Sequence, residues 1–106
     1  MSRTIIENLE SWLRDNRAKL IADGVDTEFA AALNTDPPSA RVDFESPEVA
    51  GRVTVWANGL CDLEMVSVGS GEQIMWEHRA DLDAESVGRS LTQFVEGLSH
   101  KRLESK

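Results

Sequence analysis

The stretch GRVTVWANGLCDLE, residues 51–64, decides how this chain folds. It holds two β-prone runs around Asn58-Gly59, a dipeptide that signals a hairpin when such runs flank it. A two-residue turn would place Val53 and Val55 on the same face as Asp62 and Glu64, mixing apolar and charged groups on both sides of the hairpin. A three-residue loop, Ala57-Asn58-Gly59 with Gly59 left-handed, instead pairs Trp56 with Leu60, Val55 with Cys61 and Val53 with Leu63. Val53, Val55, Cys61, Leu63 and Met65 then point one way, and Arg52, Thr54, Trp56, Asp62 and Glu64 the other. Arg52 falls opposite Glu64, an ion pair the shorter loop would not give. The three-residue loop is therefore the expected register.

Outward from the hairpin, Val42 and Phe44 alternate with Arg41, Asp43 and Glu45 in a strand at about 40–45, closed by Ser46-Pro47-Glu48. The hairpin strands are expected at about 50–57 and 60–68. After Gly69-Ser70-Gly71 a further strand is expected at about 72–79, with Ile74 and Trp76 on its core side and His78 sharing the face of Trp76. Val25, Thr27, Phe29, Ala31 and Leu33 alternate with Asp26 and Glu28, giving a strand at about 25–33.

Helices are expected at both ends. Thr4 to Glu7 reads as a capping box, and Ile5, Ile6, Leu9, Trp12, Leu13, Leu20 and Ile21 recur at helical spacing up to a Gly24 terminator, so the first helix spans about 4–23. Asp83 is an N-cap for a helix over about 84–99, whose buried stripe is Val87, Leu91, Phe94, Val95 and Leu98. Leu82 can staple onto Val87, Gly88 and Gly97 weaken the helix, and His100, Lys101 and Arg102 stand at its negative end. The prediction is a single α+β domain over 1–106: an N-terminal helix, a five-stranded antiparallel meander and a C-terminal helix, with both helices on one sheet face. Two amphipathic helices cover one face of such a sheet and leave the other open. That open face would carry Asp43, Glu45, Asp62 and Glu64 around Trp56, with Arg41 and Arg52 interspersed.

Charge narrows the function. Nineteen Asp and Glu against eleven Lys and Arg give a net charge of −8 in 106 residues, the opposite of what a nucleic-acid or anionic-membrane surface needs. No run approaches the ~20 apolar residues of a membrane span. The N-terminal residues carry charges every few positions and read as no signal peptide, so a cytoplasmic location is expected. Cys61, the single cysteine, allows no internal disulfide, and it falls on the core face as a small apolar residue.

Catalytic arrangements find little support. With only His78 and His100 in the chain, a zinc site is not expected. Asp62 and Glu64 project from one face, but acid–base work requires a cleft that separates their pKa values, and a flat sheet offers none. The Gly-Ser-Gly loop is a hairpin turn, not a phosphate cradle. No nucleophile, base and orienting group assemble, and neither a catalytic residue, a metal nor a cofactor is expected. A large aromatic on an acidic open face instead resembles a protein-binding hot spot.

The hairpin also carries a family resemblance. G-R-x-T-V-W at residues 51–56, the turn glycine Gly59, the C-D-x-E strand at 61–64, Gly71-Glu72, and an aromatic strand ending at Glu77-His78 resemble the central segment of TriTu-type immunity proteins of bacterial polymorphic toxin systems. The leading helix with Trp12 and the closing amphipathic helix match the same layout, while the Ala-rich run from Phe29 to Leu33 lies outside it. The resemblance implies a cytosolic antitoxin that binds and blocks a cognate toxin; a monomer or weak homodimer is expected. A basic toxin such as a nuclease would suit the acidic face. The candidate contacts Trp56, Asp62, Glu64, Thr54, Arg52, Asp43 and Glu45 rest on the hairpin register. The alternatives are a small acidic secretion or effector chaperone, dimeric through an apolar surface, and an enzyme or small-ligand domain with a deep polar pocket around His78.

Overall fold

The computed structural model describes residues 4–104, and side-chain surroundings for residues 4–98. Its elements follow the order α1 (Ile5–Ala22), β1 (Asp26–Ala32), β2 (Ser39–Glu45), β3 (Val49–Trp56), β4 (Cys61–Ser67), β5 (Gln73–Arg79) and α2 (Val87–Glu104). The strands form one antiparallel sheet in the order β1-β2-β3-β4-β5, so every link joins neighbours and no crossover is needed.

The β3–β4 hairpin has the expected register. Val55 pairs with Cys61, Val53 with Leu63 and Arg52 with Glu64, and the Trp56 amide donates to the Leu60 carbonyl at 2.9 Å. Gly59 takes φ +96°, and a β-carbon there would stand 2.8 Å from the Leu82 carbonyl oxygen, so the turn requires glycine for conformation and for space. The β2–β3 turn is closed by Ser46, whose hydroxyl accepts from the Val49 amide at 3.1 Å and donates to its carbonyl at 2.9 Å.

Both helices lie on one sheet face. Along β2, β3 and β4 the inward residues Ala40, Val42, Phe44, Val49, Val53, Val55, Cys61, Leu63 and Met65 are all buried. Phe44 joins the layers: Trp12 of α1 meets its ring edge-on at 6.4 Å, and Phe94 of α2 lies 5.5 Å from it. The Trp12 indole donates to the Thr92 hydroxyl at 3.2 Å, tying one helix to the other. The capping box of α1 forms as expected, with Thr4 and Glu7 bonded reciprocally at 3.1 Å.

The structure corrects several sequence expectations. Trp76 does not enter the core; it is 59% exposed on the opposite face. The cause is a bulge beside Met65 and Val66: Met65 pairs with Met75 and Val66 with Gln73, so Ile74 is an extra residue. Ile74 and Met75 both pack toward the core, and the parity of the strand flips, sending Trp76 and His78 outward. Ile21 and Leu33, expected on apolar faces, are 56% and 63% exposed, Ile21 in the last turn of α1 and Leu33 just beyond the end of β1. The C-terminal helix begins at Val87 rather than near 84 and continues to Glu104 rather than 99. Its start is delayed because the Asp83 carboxylate accepts from the amides of Glu85 and Ser86, which organises residues 84–86 as a turn. The side chains of His100, Lys101 and Arg102 lie outside the described residues.

Candidate functional site

The face turned away from the helices is organised in rows that run across the strands. One row is Glu28, Asp43, Arg52, Glu64 and Trp76, one residue from each of the five strands. The next toward the β3–β4 turn is Ala30, Arg41, Thr54, Asp62 and His78. Beyond it Ala32, Ser39 and Trp56 form a shorter row, and on the other side lie Asp26, Glu45, Ala50, Val66 and Gln73. Alternation along each strand brings the inward residues to the helices and these to solvent.

All seven candidate residues are thus on this one face, but they are not one cluster. Asp43, Glu45, Arg52 and Glu64 line an open groove of about 400 Å³, together with Asp26, Glu28, Ala50 and Val66. Thr54 and Asp62 sit one row away, and Trp56 is two rows away, half-buried near the β3–β4 turn. The expected centre, Trp56, is therefore at the periphery. The large exposed aromatic beside the groove is Trp76, opposite Glu64. Reading two adjacent apolar residues, Ile74-Met75, as a bulge would have exposed Trp76 from sequence. Asp26 and Glu28 were legible as the polar phase of the first strand.

Charge on the face is partly neutralised. Arg52 Nε donates to Asp43 Oδ1 at 2.6 Å and Arg41 Nε to Asp43 Oδ2 at 3.5 Å. The hydrogen bond to Asp43, then its charge, raises the Arg52 guanidinium above its ordinary pKa, with a smaller push from Glu64. His78 Nδ1 lies 2.5 Å from Asp62 Oδ1, and the His78 ring stacks near-parallel to Trp76, with centroids 6.4 Å apart and planes at 15°. Among the described residues, the side chains of Glu64, Glu45, Glu28 and Asp26 make no ion pair.

The groove is shallow and lies away from His78, so this geometry offers no closed pocket in which carboxylates would be driven apart in pKa. Cys61 is buried on the helix side, and burial pushes its thiol pKa up to about 11, which leaves it protonated and unreactive at neutral pH. Among the described residues no group of three or more His, Cys, Asp and Glu is placed to hold a metal ion, and no helix is long and apolar enough to cross a membrane. An exposed, charged sheet face with aromatic anchors is suited to contact with another macromolecule.

Comparison with known families returns a match over residues 7–97 to the family described as immunity protein TriTu. No curated protein matches the chain.

Proposed function

The chain belongs to the TriTu immunity protein family, a family of non-catalytic toxin inhibitors, and from that premise we propose that it neutralises a cognate toxin in the cytoplasm by laying its open sheet face over the toxin's working surface. The observation that carries this reading is the uncovered face itself. It holds six carboxylates, Asp26, Glu28, Asp43, Glu45, Asp62 and Glu64, against Arg41 and Arg52, and Arg52 is engaged by Asp43. Such a face steers a basic partner into fast encounter and repels anionic competitors. A toxin acting on nucleic acid carries the complementary positive surface, and occluding that surface requires no chemistry from the inhibitor. Trp56, Thr54, Asp62 and Glu64 lie on the contact surface in this reading, with Arg52, Asp43 and Glu45 at the groove.

The test is protection. The chain is co-expressed with a candidate cognate toxin domain, and survival is scored for wild type and for Trp56→Ala combined with Asp62→Lys. Both side chains are on the outward face, so the double variant should keep its circular dichroism spectrum and thermal midpoint while losing protection and binding. Full protection by a folded double variant would remove this part of the face from the contact.

A further inference from the structure

We propose that Trp76 and Glu64 form a receptor for an arginine side chain of the partner, and that the Asp62–His78 pair holds the indole ready for it. This rests on the reading that the open face is the contact surface, and it assigns the anchor within that face to Trp76, at the edge of the sheet.

Trp76 is 59% exposed although an indole is costly to hydrate, and its Nε1 donates to no acceptor among the described residues. Glu64 stands directly opposite it on β4, a relation that holds β-carbons about 4.5–5.5 Å apart. Glu64 accepts no hydrogen bond among the described residues; Arg52, its neighbour on the other side, gives its Nε–H to Asp43 at 2.6 Å. A carboxylate with no partner among the described residues thus adjoins an exposed indole. A cation above the ring is attracted by the ring quadrupole, and its donors can reach the carboxylate in the same pose. Arginine fits better than lysine, because its planar guanidinium stacks on an aromatic while its N–H groups fork onto a carboxylate in the plane.

Preorganisation comes from the adjacent row. Asp62 Oδ1 holds His78 Nδ1 at 2.5 Å, and the imidazole lies nearly parallel to the indole. A side chain braced in this way loses less rotational freedom on binding than a free one, so more of the contact energy appears as affinity. The groove lined by Glu28, Asp43, Glu45 and Glu64 continues from Glu64 toward β1, and would accept the residues flanking the arginine if they too are basic.

The experiment titrates the ¹⁵N-labelled full chain with hexa-arginine and hexa-lysine, following backbone amides and the three indole N–H signals. Hexa-arginine should shift the Trp76 indole and the Glu64 amide saturably, with hexa-lysine weaker. Trp76→Ala should weaken hexa-arginine binding roughly two- to fivefold, the range for an exposed cation–π contact. Glu64→Gln should weaken it too, and the double variant should lose less than the product of the two, because one guanidinium serves both. Equal binding of the two peptides, multiplicative losses, or shifts confined to backbone amides of α1 would each overturn the receptor. The protection assay separates this from the underlying reading. If Glu28→Lys with Glu45→Lys abolishes protection but Trp76→Ala preserves it, the face stands and the arginine receptor falls. If both variants protect fully, the face itself is not the contact.

Discussion

Gly51 lies directly under the ring of Phe94: a β-carbon on Gly51 would meet Phe94 Cζ at 2.8 Å and Leu98 Cδ1 at 3.1 Å. Glycine is needed there for space alone, since no positive φ is involved. The α2 helix seats on β3 through this missing side chain. Gly51→Ala should therefore destabilise the fold by about 1–3 kcal/mol, the usual penalty for overpacking a core. Urea denaturation would measure it, and Phe94→Leu in the Gly51→Ala background should recover part of the loss by restoring room.

Gly97 presents the opposite case. A β-carbon there would stand 3.6 Å from Met65 Cε, an ordinary van der Waals contact, and the residue lies inside α2. Gly97→Ala should stabilise the protein by up to about 1 kcal/mol through helix propensity and a less flexible unfolded chain. For a domain of this size that is a rise in Tm of up to roughly 4–8 °C by scanning calorimetry.

Asp83 organises the entry to α2 through its carboxylate. Its pKa is lowered chiefly by hydrogen bonds from the Ser86 amide and side chain, with a smaller contribution from the Glu85 amide. A carboxylate whose folded pKa lies below its unfolded value stabilises the fold above the unfolded pKa, and that contribution disappears as pH falls through the folded one. Stability profiles from pH 7 to pH 2 should therefore show a loss at the acid end that is smaller in Asp83→Asn, which keeps an acceptor without the titration.

Cys61 gives the alkaline counterpart. Burial raises the thiol to about 11, partly offset by the positive charge of Arg79 across the strand pair. Because the folded pKa is above the unfolded value, the contribution is complete below the ordinary thiol range and declines as pH rises toward 11. Native protein should resist a thiol-specific reagent at pH 8 and react only on unfolding. Between pH 8 and pH 10.5 the urea midpoint should fall more steeply in wild type than in Cys61→Ala.

The two tryptophans of the open face mark where sequence reasoning held and where it failed. Trp56 reads as outward because the Ala57-Asn58-Gly59 loop fixes the parity of both hairpin strands, and a one-residue slip would bury Asp62 and Glu64. That information is local and redundant across several residue pairs. Strict alternation carried from Ile74 along β5 points Trp76 inward, and the bulge beside Met65 and Val66 breaks that alternation by one residue. Within β5 itself, nothing but the adjacency of Ile74 and Met75 marks the bulge.

By itself, then, the chain's pattern of apolar residues and turn chemistry determined two helices, five consecutive strands, the hairpin register and an acidic face on one side. These depend on spacing along the chain, which a single sequence displays directly. Only the folded structure decided which residues adjoin across strands: the row from Glu28 to Trp76, the capture of Arg52 by Asp43, and the pairing of His78 with Asp62. Those relations arise between segments far apart in sequence. A single unpaired residue in β5 changes which side chains meet, because the sheet's two-residue period turns every inserted residue into a change of face.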